Sequence, residues 1–304
     1  MLRCNKTVVA ALTASIFGAL AAPPARAADE KIVIAIYAPN APFESGDARY
    51  AFASKLAQHI SSSTGIAAEG KAFAKTSDFD AAVKKGQVDF AIVDGVFLGQ
   101  RGVPWPVLAS AVTSGDTSQR WWLVASEGAG VLDLQGKRLA QVQSAGRDAA
   151  FVDNVLLEGE LPKLFGARQS VPDVNSAVAA VALHKADAAF APESATKGLK
   201  RVFDAGRVPN PALVAVKTSL PKETVDKVKA AALSAGGGGL YDGWKGASDG
   251  YRSVASRLNP RARKPAMADP SVVGIDPVQA LSMPALDPGQ PDLRAQFFPP
   301  PGRP

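Results

Sequence analysis

The segment Ser144-Ala145-Gly146-Arg147-Asp148 opens a predicted helix and carries the residue types of an anion site. A helix start leaves backbone N–H groups unpaired and carries about half a positive charge. Gly146 would let the backbone approach an anion, Ser144 could donate its hydroxyl, and Arg147 could fork onto a carboxylate or phosphate. The same residues also suit a plain helix cap with a solvated arginine. Tyr37, Asn40 and Phe43 follow the first predicted strand, where an open α/β sheet has its ligand crevice; turn chemistry around Pro39 and Pro42 is the alternative. Thr76-Ser77-Asp78 is an N-cap sequence whose hydroxyls could also make a polar contact. Asp94 and Glu193 end two strands, and either could hold an amine or a hydroxyl.

Those last two acids end copies of one pattern. "AVKKGQVDFAIVDG" (82–95) returns 98 positions later as "AVALHKADAAFAPE" (180–193). Each copy predicts a helix end, a tight connection and a buried strand. The spacing is too long for a solenoid, whose period is roughly 20–50 residues, and points to two similar lobes.

The elements around the repeats fit. "KIVIAIY" is an unbroken apolar run, expected of a strand buried on both faces. "ARYAFASKLAQHISSSTG" predicts a helix stopped by Gly65, and "AAEGKAF", "TSDFDAAVKKG" and "VDFAIVD" continue strand, helix, strand. "WPVLASAVTS" and "QRWWLVASE" predict longer strands; a second βαβαβ unit follows over about 128–208; "PALVAVKTS" and "PKETVDKVKAAALS" predict a closing strand and helix. The fold class is therefore α/β, two lobes with mostly parallel sheets flanked by helices and two crossing segments, near 114–124 and 207–216, as a hinge. Lobe 1 comprises 28–118 and 212–258, lobe 2 comprises 119–211, and the final helices pack back on lobe 1.

The ends differ in texture. "MLRCNK", an apolar run of 16 residues and Ala25-Arg26-Ala27 predict a signal peptide over 1–27, since the run is short of the ~20 residues a bilayer span needs. Secretion to the periplasm and cleavage near Ala27 follow. Cys4, the only cysteine, leaves with the signal, which excludes disulfides, a thiol nucleophile and a Cys-bound metal. Arg3, Lys6 and Arg26 leave too, so the formal charge falls from +6 to +3. Such a charge, without a basic stripe of interleaved aromatics, argues against nucleic acid. Residues 259–304 have proline every few positions and predict a mostly disordered tail.

His59 and His184 lie on predicted helices with no second ligand at metal spacing, and no hydrolase or zinc-protease motif occurs. No catalytic residue, metal or cofactor is expected. Trp121 and Trp122 are adjacent in a strand, so their rings face opposite ways.

"LAQHISSSTG", "AAVKKGQVDFAIVD", "DLQGKRLA", "SAVAAVALHKADAAFAP" and "LSAGGGGLYDGWKGASDGYRSVA" together resemble the type II periplasmic solute-binding proteins, specifically the phosphate/phosphite/phosphonate-type receptors of ABC importers, over roughly 30–257. The family's Ser/Thr-Ser-x-Ser-Gly loop falls on "QVQSAGRD", which keeps Ser144 and Gly146; its Gly-Pro after the lobe 1 Asp strand is replaced by Asp94-Gly95. The resemblance implies a non-enzymatic receptor, monomeric, that closes around a small anionic solute and delivers it to an ABC permease or another inner-membrane complex. The ligand-binding set would be Tyr37, Asn40, Thr76, Ser77, Asp94, Ser144, Gly146, Arg147 and Glu193. A periplasmic sensor or accessory protein of a membrane or redox complex, and an enzyme of the same fold, are the alternatives.

Overall fold

The computed structural model describes residues 31–258, except 103, 104, 128, 129, 162, 197 and 238. The expected signal peptide and proline-rich tail lie outside the described residues. In chain order the elements are β1 (Ile32–Tyr37), α1 (Gly46–Thr64), β2 (Ala68–Ala72), α2 (Thr76–Lys84), β3 (Phe90–Val93), α3 (Gly95–Arg101) and β4 (Val107–Val112). The second lobe follows with β5 (Ser118–Ala125), β6 (Arg138–Val142), α4 (Asp148–Phe151), β7 (Ala167–Val171), α5 (Val174–Ala182), β8 (Ala188–Pro192) and β9 (Lys200–Pro209). The chain then returns through β10 (Ala212–Ala215), α6 (Lys222–Ser234), β11 (Gly243–Lys245) and α7 (Gly250–Arg257).

Two mixed sheets result, in the orders β11-β4-β10-β3-β1-β2 and β7-β6-β8-β5-β9. The βαβ units supply the parallel halves, β2-β1-β3 and β7-β6-β8. The strands next to the crossings are antiparallel: β10 to both β3 and β4, and β5 to both β8 and β9. The sheets are thus less parallel than the repeats alone imply. A chain that leaves a lobe along one strand and re-enters along its neighbour must pair them antiparallel.

Alternation along each strand builds a core on both faces. Ile32, Ile34 and Ile36 pack with α1 and α6, while Ala35 and Tyr37 pack with α2 and α3 residues. In lobe 2, Trp121 and Leu123 face one side and Val124 the other. Val96 of α3 and Val254 of α7 join the Trp121 side, whereas Tyr251 of α7 joins a lobe 1 core. Both final helices pack on lobe 1, α6 against α1 and α7 against α3, and α7 also reaches the lobe 2 core and so bridges the lobes.

Asn210, fully buried, ties the two crossings together. Its N–H donates to Thr117 O at 2.9 Å, and its Nδ2 donates to Ala111 O and Asp116 O, each at 3.1 Å. The Tyr251 hydroxyl donates to Asn210 O at 2.9 Å. Gly95 fits this junction because a Cβ there would stand 2.6 Å from Pro209 O.

Candidate functional site

The lobes meet through hydroxyls at the C-terminal end of β1 and the start of α2. Thr76 Oγ1 donates to Ser144 O at 2.7 Å, and the Tyr37 hydroxyl reaches the same carbonyl at 3.2 Å. The two hydroxyls are 2.6 Å apart. Thr76 opens α2 without capping it, and the N-cap position falls on Lys75, which makes no side-chain cap. Its hydroxyl serves the interlobe contact instead. The Tyr37 ring is stacked on Phe79 at 5.4 Å and meets the edge of Phe97 at 5.0 Å. Burial, reinforced by the charges of Asp94 and Asp148 and opposed by the Thr76 bond, pushes its phenol up to about 12. Tyr37 is therefore a neutral hydrogen-bonding group at any physiological pH.

Asp94 and Asn40 form the floor beside it. Asp94 caps α3: Oδ1 accepts from Phe97 N–H at 2.8 Å, and Oδ2 accepts from Asn40 N–H at 3.0 Å. Asn40 Nδ2 lies 3.3 Å from both oxygens. Burial raises the carboxyl to about 6 despite the bonds from Phe97, Asn40 and Val96, which favour the charge. Both oxygens are engaged within lobe 1, so Asp94 shapes the crevice.

On the other wall, Gly146 takes a left-handed φ of 85°, and the turn carries Asp148 back over Ser144. Asp148 Oδ1 accepts from Ser144 N–H at 3.1 Å and from Gln100 Nε2 at 3.0 Å, while Gln100 Oε1 accepts from Arg147 N–H at 2.9 Å. Gln100 and Asp148 are functional candidates absent from the sequence-based set. Gln100 lies in α3, whose Gly-rich and wholly apolar start gives no helical period. Asp148 sits inside the quoted motif, but nothing in the sequence says that its carboxylate folds back. The Ser144 hydroxyl is buried without a hydrogen-bond partner.

Between these walls lies a cavity of about 20 Å³. Asn40 and Val96 of lobe 1 line it, with Trp121, Gln141, Asp148, Phe151 and Phe190 among the residues of lobe 2. Such a volume holds roughly one water-sized group. Trp121 is the cleft-facing tryptophan and meets the edge of Phe151 at 6.2 Å; its Nε1 is buried without a partner. Trp122 faces away, beneath the guanidiniums of Arg120 and Arg201 at 5.7 and 5.4 Å.

Three residues of the sequence-based set are placed elsewhere. Arg147 donates from Nη2 to Leu258 O at 2.8 Å, at the end of α7. Ser77 is exposed, its hydroxyl on Asp78 at 3.2 Å. Glu193 is paired with Arg201 at 2.7 Å on the Trp122 side. A further interlobe contact was not anticipated: the buried Arg49 faces Asp173 at 3.9 Å, next to bonds from Val174 N–H to Pro39 O and from Asn175 Nδ2 to Phe43 O. Among the described residues no group of three His, Cys, Asp or Glu could hold a metal ion.

Residues 40–255 match the family model described as ABC transporter, phosphonate, periplasmic substrate-binding protein. No curated protein matches the chain by sequence. Among solved structures, PhnD1 from Prochlorococcus marinus (MIT 9301), in complex with methylphosphonate, aligns with a TM-score of 0.60 at 12% identity, over 78% of this chain and 99% of its own. The binding protein component of an ABC phosphonate transporter from Pseudomonas aeruginosa (PA3383) aligns with 0.58 at 14%, over 76% and 84%. XAC2383 from Xanthomonas citri, bound to ATP, aligns with 0.56 at 12%, over 75% and 97%. At these identities the likeness is one of fold: two-lobe periplasmic binding proteins of type II.

Proposed function

The chain belongs to the family of periplasmic substrate-binding proteins of phosphonate ABC transporters, and on that premise we propose that it is a receptor that closes its lobes around one small solute and presents it to an inner-membrane importer. The observation that carries this reading is the contact of Tyr37 and Thr76 with Ser144. Two hydroxyls of lobe 1 converge on one carbonyl of lobe 2, near a small interlobe space with buried polar atoms still unpartnered.

A solute between the lobes would replace part of that contact with bonds of its own. Buried hydroxyls without partners cost roughly 1–3 kcal/mol each, which a ligand acceptor or donor would recover. The unpartnered Ser144 hydroxyl is suited to this role. Of the loop expected to hold an anion, Ser144 and Gly146 remain at the cleft, while Arg147 is engaged with Leu258.

Calorimetry with a panel of small periplasmic solutes tests the reading. One-to-one binding should appear for one chemical class. Thr76→Val should weaken it about fivefold, the equivalent of one neutral hydrogen bond near 1 kcal/mol. A ligand whose affinity is indifferent to Thr76→Val and to Tyr37→Phe would place the site elsewhere.

A further inference from the structure

Asp148 occupies, from within the chain, the position at which the loop 144–147 would hold an acid. Its Oδ1 takes the Ser144 N–H and the Gln100 amide, and the Arg147 N–H is taken by Gln100 Oε1. The Ser144 and Arg147 N–H groups and the Gln100 amide, donors suited to a ligand's negative charge, are thus already bound to a carboxylate or to its partner, whereas the Ser144 hydroxyl and Trp121 Nε1 are not. An added phosphonate or carboxylate would meet Asp148 within a buried space, where like charges repel far more strongly than in water.

The other Asp148 oxygen, Oδ2, has no hydrogen-bond partner among the described residues, although the residue is only 9% exposed and lines the cavity. Trp121, Phe151 and Phe190 line the same cavity, with Asn40 and Gln141. Aromatic rings and a carboxylate with an open lone pair are the groups that recognise an ammonium. The space, about 20 Å³, admits a head of that size. Among the described residues the nearby guanidiniums have partners elsewhere: Arg49 faces Asp173, Arg101 pairs with Asp80, and Arg147 donates to Leu258 O.

We propose that Asp148 is the specificity-determining residue of the cleft: its carboxylate substitutes for a ligand's acid at Ser144 N–H and Gln100, and the cleft takes a small primary amine whose ammonium sits on Oδ2. This rests on the reading of the interlobe cleft as the solute site. It also separates the chain from its family by ligand charge while keeping the family's fold.

The test is calorimetry of the full chain with ethylamine and ethanolamine against methylphosphonate and inorganic phosphate, at neutral pH. The amines should bind and the anions should not. Asp148→Asn should weaken amine binding at least tenfold, and Asp148→Ser, which vacates the cradle, should admit methylphosphonate. Melting curves of both variants check folding; the wild-type panel decides the question even if a variant does not fold. Methylphosphonate or phosphate binding to wild type as tightly as the amines, with Thr76→Val weakening it, would overturn the role of Asp148 and leave the receptor reading intact. Binding of neither class would overturn the amine assignment, and the receptor reading would then stand or fall with the wider solute panel.

Discussion

Thr76 of lobe 1 and Ser144 of lobe 2 meet at 2.7 Å, hydroxyl to carbonyl, and Tyr37 shares the same acceptor. Because the Tyr37 and Thr76 hydroxyls also bond to each other, their contributions are coupled. Tyr37→Phe and Thr76→Val should each cost about 0.5–1.5 kcal/mol of stability. The double variant should cost less than the two together, with a coupling of at least about 0.5 kcal/mol in a denaturation cycle. Strict additivity would mean that the hydroxyls act independently.

Asp94 gives the fold a specific pH signature. Burial raises its carboxyl from the ordinary 3.8 to about 6, so the folded chain binds this proton more tightly than the unfolded chain does. The contribution of Asp94 to stability is therefore greatest below about pH 4, declines as pH rises to about 6, and is level above. The whole decline is about 3 kcal/mol at most, at about 1.4 kcal/mol per pH unit. Asp94→Asn keeps a capping oxygen and cannot ionise. The stability difference between wild type and this variant should move against wild type between pH 4 and 6; no change over that range would place the Asp94 pKa near its ordinary value.

Asn210 should be the least replaceable residue of the hinge. Asn210→Ala removes the bonds to Ala111 O and Asp116 O and should cost about 1–3 kcal/mol by thermal or urea unfolding. Asn210→Asp is nearly isosteric, but it turns an acceptor toward those carbonyls and should cost more. An equal or smaller loss for Asp would show that the amide donors are not what holds the crossings.

Much of this was legible in the sequence because burial leaves a clear pattern. The apolar runs at 31–37 and 88–94, the repeated helix–Asp–strand step and the two long hinge strands each lie where the structure has them. What escaped was set by contacts distant in sequence. Helix α3 has no apolar period because every residue from Gly95 to Gln100 is buried; it surfaces only as the element that Asp94 caps. The helix expected from Ser144 begins at Asp148 and passes into a π-turn over Val152–Leu156, because the left-handed Gly146 holds the preceding residues in a turn. Arg147 has the right type and spacing for an anion, but its direction is set by α7, more than a hundred residues away.

That direction is itself testable. Arg147→Ala should lower stability by about 1–2 kcal/mol, since a charged donor to the Leu258 carbonyl is lost. The affinity for any solute that binds should stay within about twofold of wild type. A large loss of affinity at unchanged stability would return Arg147 to the cleft.

Trp121 is the direct reporter of the central claim, because its ring lines the interlobe cavity while Trp122 faces the opposite side. Tryptophan fluorescence should be followed while the full chain is titrated with a solute whose affinity calorimetry has already fixed. A receptor that encloses its ligand between the lobes predicts a saturable change with the calorimetric midpoint, abolished in Trp121→Phe and retained in Trp122→Phe. A signal that survives in Trp121→Phe, or no signal at a solute concentration that saturates the calorimetric binding, would contradict enclosure of the ligand at this cleft.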